Sequence, residues 1–173
     1  MADDDLDPRA EELTSRPPLQ EDLVALCLRL NELGARYVII GGFAIITAGY
    51  PRLTTDVDLL IDVSPENEAR VFKALESLPD RAVLQLRPGE VSEYAVVRVA
   101  DEIMVDLMKS ASGIEYAEAS ADVVMRELDG VPIPFASPRL LWRMKRSTHR
   151  EKDAPDLYFL REWFRARGEQ PPE

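Results

Sequence analysis

The chain has 173 residues, a length that fits one domain, and 46% of them are hydrophobic, which argues against a disordered chain. The formal net charge of −11 argues against a general nucleic-acid coat, because neutralising phosphates needs clustered Lys and Arg. No apolar run reaches the ~20 residues of a membrane span, and we expect no secretory signal in the acidic N-terminus. Cys27 is the single cysteine, so an internal disulfide is excluded and a cytoplasmic location is expected.

The acidity is concentrated at one end of the chain. Residues 1–22 hold eight acidic and two basic side chains, whereas residues 139–152 hold six basic side chains and one acidic side chain. High charge with little apolar surface favours a solvated segment. We therefore predict a flexible acidic leader over 1–17, one folded domain over 18–168 and a short tail over 169–173.

Hydrophobic periodicity and turn residues predict a mixture of helices and strands. In chain order we predict a helix over 19–33, a strand over 37–40, a short helix over 43–48, a strand over 57–63, a helix over 65–78, strands over 82–86, 94–99 and 103–108, a helix over 115–127, an extended segment over 131–135, and helices over 138–149 and 154–167. Both hairpin and crossover spacings occur. This favours one α/β (α+β) domain, a mixed sheet flanked by helices, with a core over 37–108 and C-terminal helices within 115–167.

Two acidic residues at the second predicted strand form the first candidate site. Side chains alternate along a strand, so Asp56 and Asp58 project from one face while Val57 and Leu59 face the core. The Cα atoms of the two aspartates lie ~6–7 Å apart at the usual strand rise. Carboxylates this close repel unless a proton or a cation lies between them, and Mg²⁺ prefers such oxygen ligands. The alternative is an acidic strand edge that faces solvent, which is common for an isolated Asp-x-Asp.

A glycine pair precedes these aspartates. Gly41-Gly42 ends the predicted strand 37–40 and opens the next helix, where glycine permits a tight turn and the close approach of a phosphate. The helix N-terminus offers free N–H groups and a positive dipole end. A plain strand-to-helix turn is the alternative. The spacing of thirteen residues before Asp56 makes the two features together more specific than either alone.

This pattern resembles the signature of a known family. The stretch is similar to the motif of the nucleotidyltransferase superfamily, which has an apolar residue, a glycine pair, a spacer and two aspartates separated by an apolar residue. Here these are Gly41-Gly42, a spacer of this length and Asp56-Val57-Asp58-Leu59. That superfamily includes DNA polymerase beta, the minimal nucleotidyltransferases, antibiotic adenylyltransferases and toxins of abortive-infection systems. The similarity is strong over 37–63, weaker to about 108, and greatest to the antibiotic-modifying and toxin-like bacterial branches.

The resemblance implies a specific set of site residues. It implies the nucleotidyltransferase fold and a third carboxylate on a neighbouring strand, which Asp106 supplies in the apolar strand predicted over 103–108. Asp56, Asp58 and Asp106 would be the catalytic and metal-binding residues, with Mg²⁺ as cofactor and a nucleoside triphosphate such as ATP as donor. Gly41 and Gly42 would contact the triphosphate. The alternative for Asp106 is an edge-strand residue that faces water.

Three further residues are candidates for nucleotide binding. Arg52 and Thr54 either contact phosphate or order a surface turn. Lys145 begins a run over 145–156 that is similar to the C-terminal helices of the toxin-like branch, where Lys145 or Arg150 would meet the phosphates.

Two aspartates of the same run are more ambiguous. Asp153 directly precedes the predicted helix 154–167, Pro155 suits its first turn, and Asp156 fits a capping box. We therefore favour helix capping over a site role for Asp153 and Asp156.

The sequence predicts a Mg²⁺-dependent transfer of a nucleoside monophosphate to a hydroxyl of a small molecule, an RNA end or a protein. An acidic site favours a cationic small molecule, whereas the basic stretch 139–152 favours RNA. The alternative is a catalytically silent binding or regulatory protein of the same fold, such as a partner in a toxin–antitoxin-type system. In a purely structural dimerisation module, the three aspartates would lie apart.

Overall fold

The computed structural model describes residues 15–173, which form eight strands and seven α-helices. The strands are β1 (Tyr37–Ile40), β2 (Asp56–Ile61), β3 (Val97–Ala100), β4 (Met104–Met108), β5 (Ser110–Ala111), β6 (Ile114–Glu115), β7 (Val123–Leu128) and β8 (Val131–Ala136). The helices are α1 (Gln20–Glu32), α2 (Gly41–Ala48), α3 (Pro65–Leu75), α4 (Glu90–Glu93), α5 (Tyr116–Ala119), α6 (Pro138–Lys145) and α7 (Ala154–Ala166), with 3₁₀ turns at Ala82–Gln85 and Glu151–Asp153.

Six strands form one mixed sheet in the order β3-β4-β2-β1-β8-β7, and β5 and β6 form a separate hairpin. β2 runs antiparallel to β1 and parallel to β4, so its neighbours come from before and after it in the chain. β1 also pairs with β8 in parallel. The predicted α/β (α+β) class with a mixed sheet and flanking helices is confirmed.

The core lies along the central strands. All four residues of β1 are buried, and Val57, Leu59, Val105 and Leu107 of β2 and β4 are fully buried. α1 packs on α3 and β8, while α6 packs on α2 and α7. Burial of these apolar side chains provides the main driving force for the fold, and it fixes β2 and β4 rigidly beside each other.

The helix predicted over 115–127 is wrong. Only Tyr116–Ala119 is helical, and Val123–Leu128 forms β7, which pairs antiparallel with β8. The two strands are joined at Asp129-Gly130, and both residues have positive φ, 49° and 80°. An Asp-Gly turn with two positive φ angles matches the right-handed twist of a hairpin. That turn signal outweighs the helical spacing of the residues before it.

The strand predicted over 82–86 is also wrong. Ala82–Gln85 is a 3₁₀ turn held by the buried carboxylate of Asp101, which accepts from the backbone N–H groups of Asp80 at 3.0 Å and Ala82 at 2.9 Å. The next strand begins at Val97 rather than at residue 94. A carboxylate 19 to 21 residues away in the chain therefore stabilises the local conformation. Short-range sequence patterns carry no information about that contact.

Both ends of the described chain contact the domain. Most of the predicted acidic leader, residues 1–14, lies outside the described residues. The backbone N–H of Arg16 donates to the carbonyl of Glu102 at 2.9 Å. In the predicted tail, the carbonyl of Pro172 accepts from Trp142 Nε1 at 2.9 Å. Within residues 15–173, the helices are all too short or too polar to cross a membrane.

Candidate active site

Three aspartates predicted from the sequence lie together at one end of the central strands. Asp56 is the first residue of β2, and Asp58 follows on the same face. Asp58 is opposite Asp106 in the parallel register of β2 and β4. One carboxylate oxygen from each of the three residues lies within 4.8 Å of the others. Three hard oxygen donors at this spacing fit a divalent cation such as Mg²⁺.

The electrostatics of the cluster favour a cation. Burial, followed by the negative charges of Asp106 and Asp56, raises the pKa of Asp58 to about 7. Asp106 is only 5% exposed. At neutral pH the cluster therefore holds more negative charge than its surroundings stabilise, which is the property that a cation-binding site requires.

A cation that the sequence analysis did not single out lies beside the three aspartates. Arg98 of β3 is directly opposite Asp106 across the antiparallel pair. Its Nε donates to Oδ1 of Asp106 at 2.9 Å and its Nη2 to Oδ2 at 3.0 Å. Nη2 also lies 3.6 Å from Asp56 Oδ2. Strands predicted over 94–99 and 103–108 are close enough in the chain to form a hairpin, but a turn of residues 100–102 would place residue 98 opposite residue 104. The observed register places Arg98 opposite Asp106, and short-range sequence patterns do not contain that shift.

The glycine pair is required by the close approach of neighbouring groups. Gly41 has a φ of +67°, and a Cβ there would lie 2.0 Å from Oδ2 of Asp58. A Cβ on Gly42 would lie 2.3 Å from Oγ1 of Thr54. Gly41 therefore lets the start of α2 lie directly against the Asp58 carboxylate, and Gly42 lets the loop before β2 pack on the same turn.

Arg52 and Thr54 both bind other parts of the protein. Arg52 Nη2 donates to Oδ2 of Asp156 at 2.9 Å, and the Thr54 hydroxyl donates to the carbonyl of Asp56 at 3.1 Å. Of the two readings left open by the sequence, these contacts favour ordering of the loop over direct phosphate contact.

Lys145 lies at the centre of a buried ionic network. Its Nζ is 3.1 Å from Oδ1 of Asp153 and 3.1 Å from Oδ2 of Asp156. Burial raises the pKa of Asp153, but the Thr148 hydroxyl and the cations of Lys145 and Arg150 outweigh it and lower that pKa to about 2. Lys145 is 8% exposed, so its charge is held at a fixed position beside the aspartates of β2 and β4.

The helix-capping interpretation of Asp153 is wrong. Asp153 has helical backbone angles and makes no side-chain cap hydrogen bond. Asp156 accepts from Arg52 and pairs with Lys145. Both carboxylates are buried and balance cations, which costs less than leaving either charge unpaired.

These groups line one cavity of about 750 Å³. Its lining includes the three aspartates, the glycine pair and the cations Lys145, Arg150 and Lys152. Ligand sites typically fall within ~300–1,000 Å³. The cavity is large enough for a nucleotide, and both acidic and basic side chains line it.

The sequence has no match among protein-family models, and no curated protein matches it. Solved structures do match in fold. One is an antigenic nucleotidyltransferase-like protein from Paracoccidioides brasiliensis, with a TM-score of 0.52 and 18% identity over 87% of this chain and 78% of that one. Another is a candidate nucleotidyltransferase from Thermotoga maritima, with a TM-score of 0.54 and 17% identity over 90% of this chain and 98% of that one.

The identity to both structures is low, so the likeness concerns the backbone. It extends over most of this chain in each case. The chain has the fold of nucleotidyltransferase-like proteins.

Proposed function

We propose that this protein is a Mg²⁺-dependent nucleotidyltransferase that transfers a nucleoside monophosphate from a nucleoside triphosphate to a hydroxyl group. The observation that carries the proposal is the juxtaposition of the glycine turn with three aspartates whose oxygens lie within 4.8 Å. A regulatory protein of this fold that does not catalyse transfer would not need all three carboxylates at this spacing.

Asp56, Asp58 and Asp106 would hold the metal. Mg²⁺ bound there would neutralise phosphate charge and orient the oxygens of an in-line displacement. The acceptor hydroxyl loses its proton to a carboxylate, for which Asp106 is our candidate. The hydroxyl oxygen then forms a bond to the α-phosphorus while the bond to the β-phosphate oxygen breaks, and pyrophosphate leaves.

Three cations that line the cavity would bind the triphosphate. Lys145 provides a fixed positive charge in the cavity, and Arg150 and Lys152 line the same cavity. The N–H groups at the start of α2, beside Gly41 and Gly42, favour an anion through the helix dipole. Binding of charged phosphates in a fixed geometry supplies most of what this reaction needs from the protein.

The test is incorporation of label from α-³²P nucleoside triphosphates into cell RNA, cell protein and aminoglycosides. We expect Mg²⁺-dependent transfer to one acceptor class, with loss of at least ~10²-fold in Asp56→Asn, Asp58→Asn and Asp106→Asn. Asp80→Asn is the matched control, since Asp80 is exposed and lies outside the cavity.

The same transfer experiment, combined with a measurement of triphosphate binding, distinguishes the enzyme from a catalytically silent protein of the same fold. No transfer to any acceptor, together with triphosphate binding that is insensitive to Asp56→Asn, would contradict the enzyme proposal. Triphosphate binding that depends on Asp56 without transfer would favour a regulatory protein that binds nucleotide.

A further inference from the structure

One bidentate ion pair of the cavity involves a residue to which neither the sequence motif nor the proposed reaction assigns a part. Arg98 makes two charge-assisted hydrogen bonds to Asp106, one to each carboxylate oxygen, at 2.9 and 3.0 Å. Its ion pairs in the described chain are with Asp106 and Asp56, both members of the aspartate cluster. Arg98 therefore neutralises the same carboxylates that a divalent cation would use.

The two partners differ in their freedom to move. Asp106 is in β4, which is paired on both sides, and its side chain is 7% exposed. Arg98 is on the edge strand β3, and its side chain is 56% exposed. When a second cation competes for Asp106, the guanidinium can leave into solvent while the carboxylate stays in place.

The formal charges of the cluster indicate that one divalent cation, and not two, fits beside Arg98. With all three aspartates ionised, as cation binding requires, they contribute −3 and Arg98 contributes +1, so the cluster with Arg98 in place carries −2. A single divalent cation neutralises this charge. A second one would lie beside a guanidinium, and two cations at this distance repel strongly in a partly buried site.

We infer that Arg98 occupies the place of a second divalent cation at Asp106, so that the protein binds one such cation, at Asp56 and Asp58, until Arg98 is displaced. This inference rests on the proposed function, because it takes the aspartate cluster as a metal site. It makes Arg98 a positioning residue that sets the number and order of the bound cations.

The experiment counts bound Mn²⁺ by electron paramagnetic resonance and calorimetry on the full chain without nucleotide. We expect one Mn²⁺ in the wild-type protein. In Arg98→Met we expect either two Mn²⁺ or affinity for the first that is higher by about tenfold, which is ~1.4 kcal/mol. Arg98→Lys keeps the charge but loses the bidentate fork, so it should fall between the two.

The matched control is Arg126→Met, which removes an exposed positive charge from β7 at the opposite edge of the same sheet. Its Mn²⁺ binding should equal that of the wild type. Circular dichroism and urea unfolding establish that each variant is folded before binding is compared.

A second readout follows the side chain itself. The ¹⁵N–¹H signal of Arg98 Nε, identified by its loss in Arg98→Lys, should be sharp without metal. It should stay in place as the first equivalent of Mg²⁺ binds, and shift or broaden at higher Mg²⁺ as the bond to Asp106 breaks.

The possible outcomes are distinct. Two Mn²⁺ in the wild type, or an Arg98→Met variant whose count and affinity equal those of the wild type, would overturn the role of Arg98 and leave the proposed function intact. Wild-type binding no tighter than that of Asp56→Asn would overturn the metal site, and both proposals with it.

Discussion

Arg52 and Asp156 are 104 positions apart in the chain, yet Arg52 Nη2 donates to Asp156 Oδ2 at 2.9 Å. Arg52 lies in the loop between α2 and β2, and Asp156 lies in the first turn of α7. The pair therefore joins the last helix to the loop that carries Thr54 against the glycine turn. The C-terminal part of the chain belongs to the candidate site and is not an appendage to it.

Breaking this pair should destabilise the protein. Arg52→Met leaves the buried carboxylate of Asp156 with Lys145 as its remaining cation, and we expect the free energy of unfolding to fall by about 3 kcal/mol. Urea denaturation measures the change. Glu32→Gln is the control, because Glu32 forms an exposed pair with Arg29 and should change stability by less than ~1 kcal/mol. Equal effects of the two substitutions would show that the Arg52 pair is not buried in solution.

Gly41 offers a test with a matched glycine. Gly34 has almost the same φ, +68° against +67°, but a Cβ on Gly34 would meet nothing within 4 Å. Gly34→Ala should therefore cost only the backbone strain, ~1–2 kcal/mol. Gly41→Ala should cost more and should also lower the affinity for Mn²⁺ by at least about tenfold, since its methyl group would displace the Asp58 carboxylate. Mn²⁺ affinity equal in the two variants would contradict the close contact.

Asp58 should make the stability of the metal-free protein depend on pH. Its pKa is about 7 in the folded protein against an ordinary value of 3.8, so its contribution is complete below pH 3.8 and is lost as pH rises to about 7. The Asp58→Asn variant has no titrating group at this position, so its stability does not show this loss. We expect the stability of Asp58→Asn relative to wild type to grow by up to ~1.4 kcal/mol per pH unit across this window.

Urea unfolding at pH 4.5 to 8 in the presence of a chelator measures that difference. Saturating Mg²⁺ should abolish it at neutral pH, because cation binding favours the ionised carboxylate. A difference that is constant with pH would show that Asp58 ionises like an ordinary aspartate.

Lys145 should matter for both stability and nucleotide binding. In Lys145→Met, Asp153 keeps Thr148 and Arg150 and Asp156 keeps Arg52, so we expect the variant to fold with reduced stability. Its affinity for a nucleoside triphosphate should fall by at least about tenfold, through loss of a charge-assisted contact of ~1.5–3 kcal/mol. Calorimetry with a non-hydrolysable analogue measures this, and Lys73→Met, on the exposed face of α3, is the control.

The sequence was sufficient for the features that depend on local patterns. Strand alternation places Asp56 and Asp58 on one face, and the glycine pair marks the turn into α2. An isolated acid in an apolar strand, together with the third carboxylate that the family resemblance implies, pointed to Asp106. These inferences use distances of a few residues, over which backbone geometry is nearly fixed.

The features that were missed depend on pairing between distant segments or on one strong turn. The part played by Arg98 follows from the register of β3 with β4, and that of Asp153 from side chains on α6 and the following loop. The β7–β8 hairpin was lost because the helical spacing of residues 115–127 was given more weight than Asp129-Gly130. Tertiary contacts thus overrode local propensity where charged groups became buried.

The register of β2 with β4 links formation of the core to formation of the aspartate cluster during folding. Asp58 and Asp106 face each other in a register in which the neighbouring Val57 and Val105 are also paired and fully buried. A slip of one strand by a single residue would turn its aspartate into the apolar interior and its valine into the cavity. A misaligned chain loses its core and its carboxylate cluster in the same event. A chain misaligned in this way therefore lacks the proposed cation site, which forms only together with the correct fold.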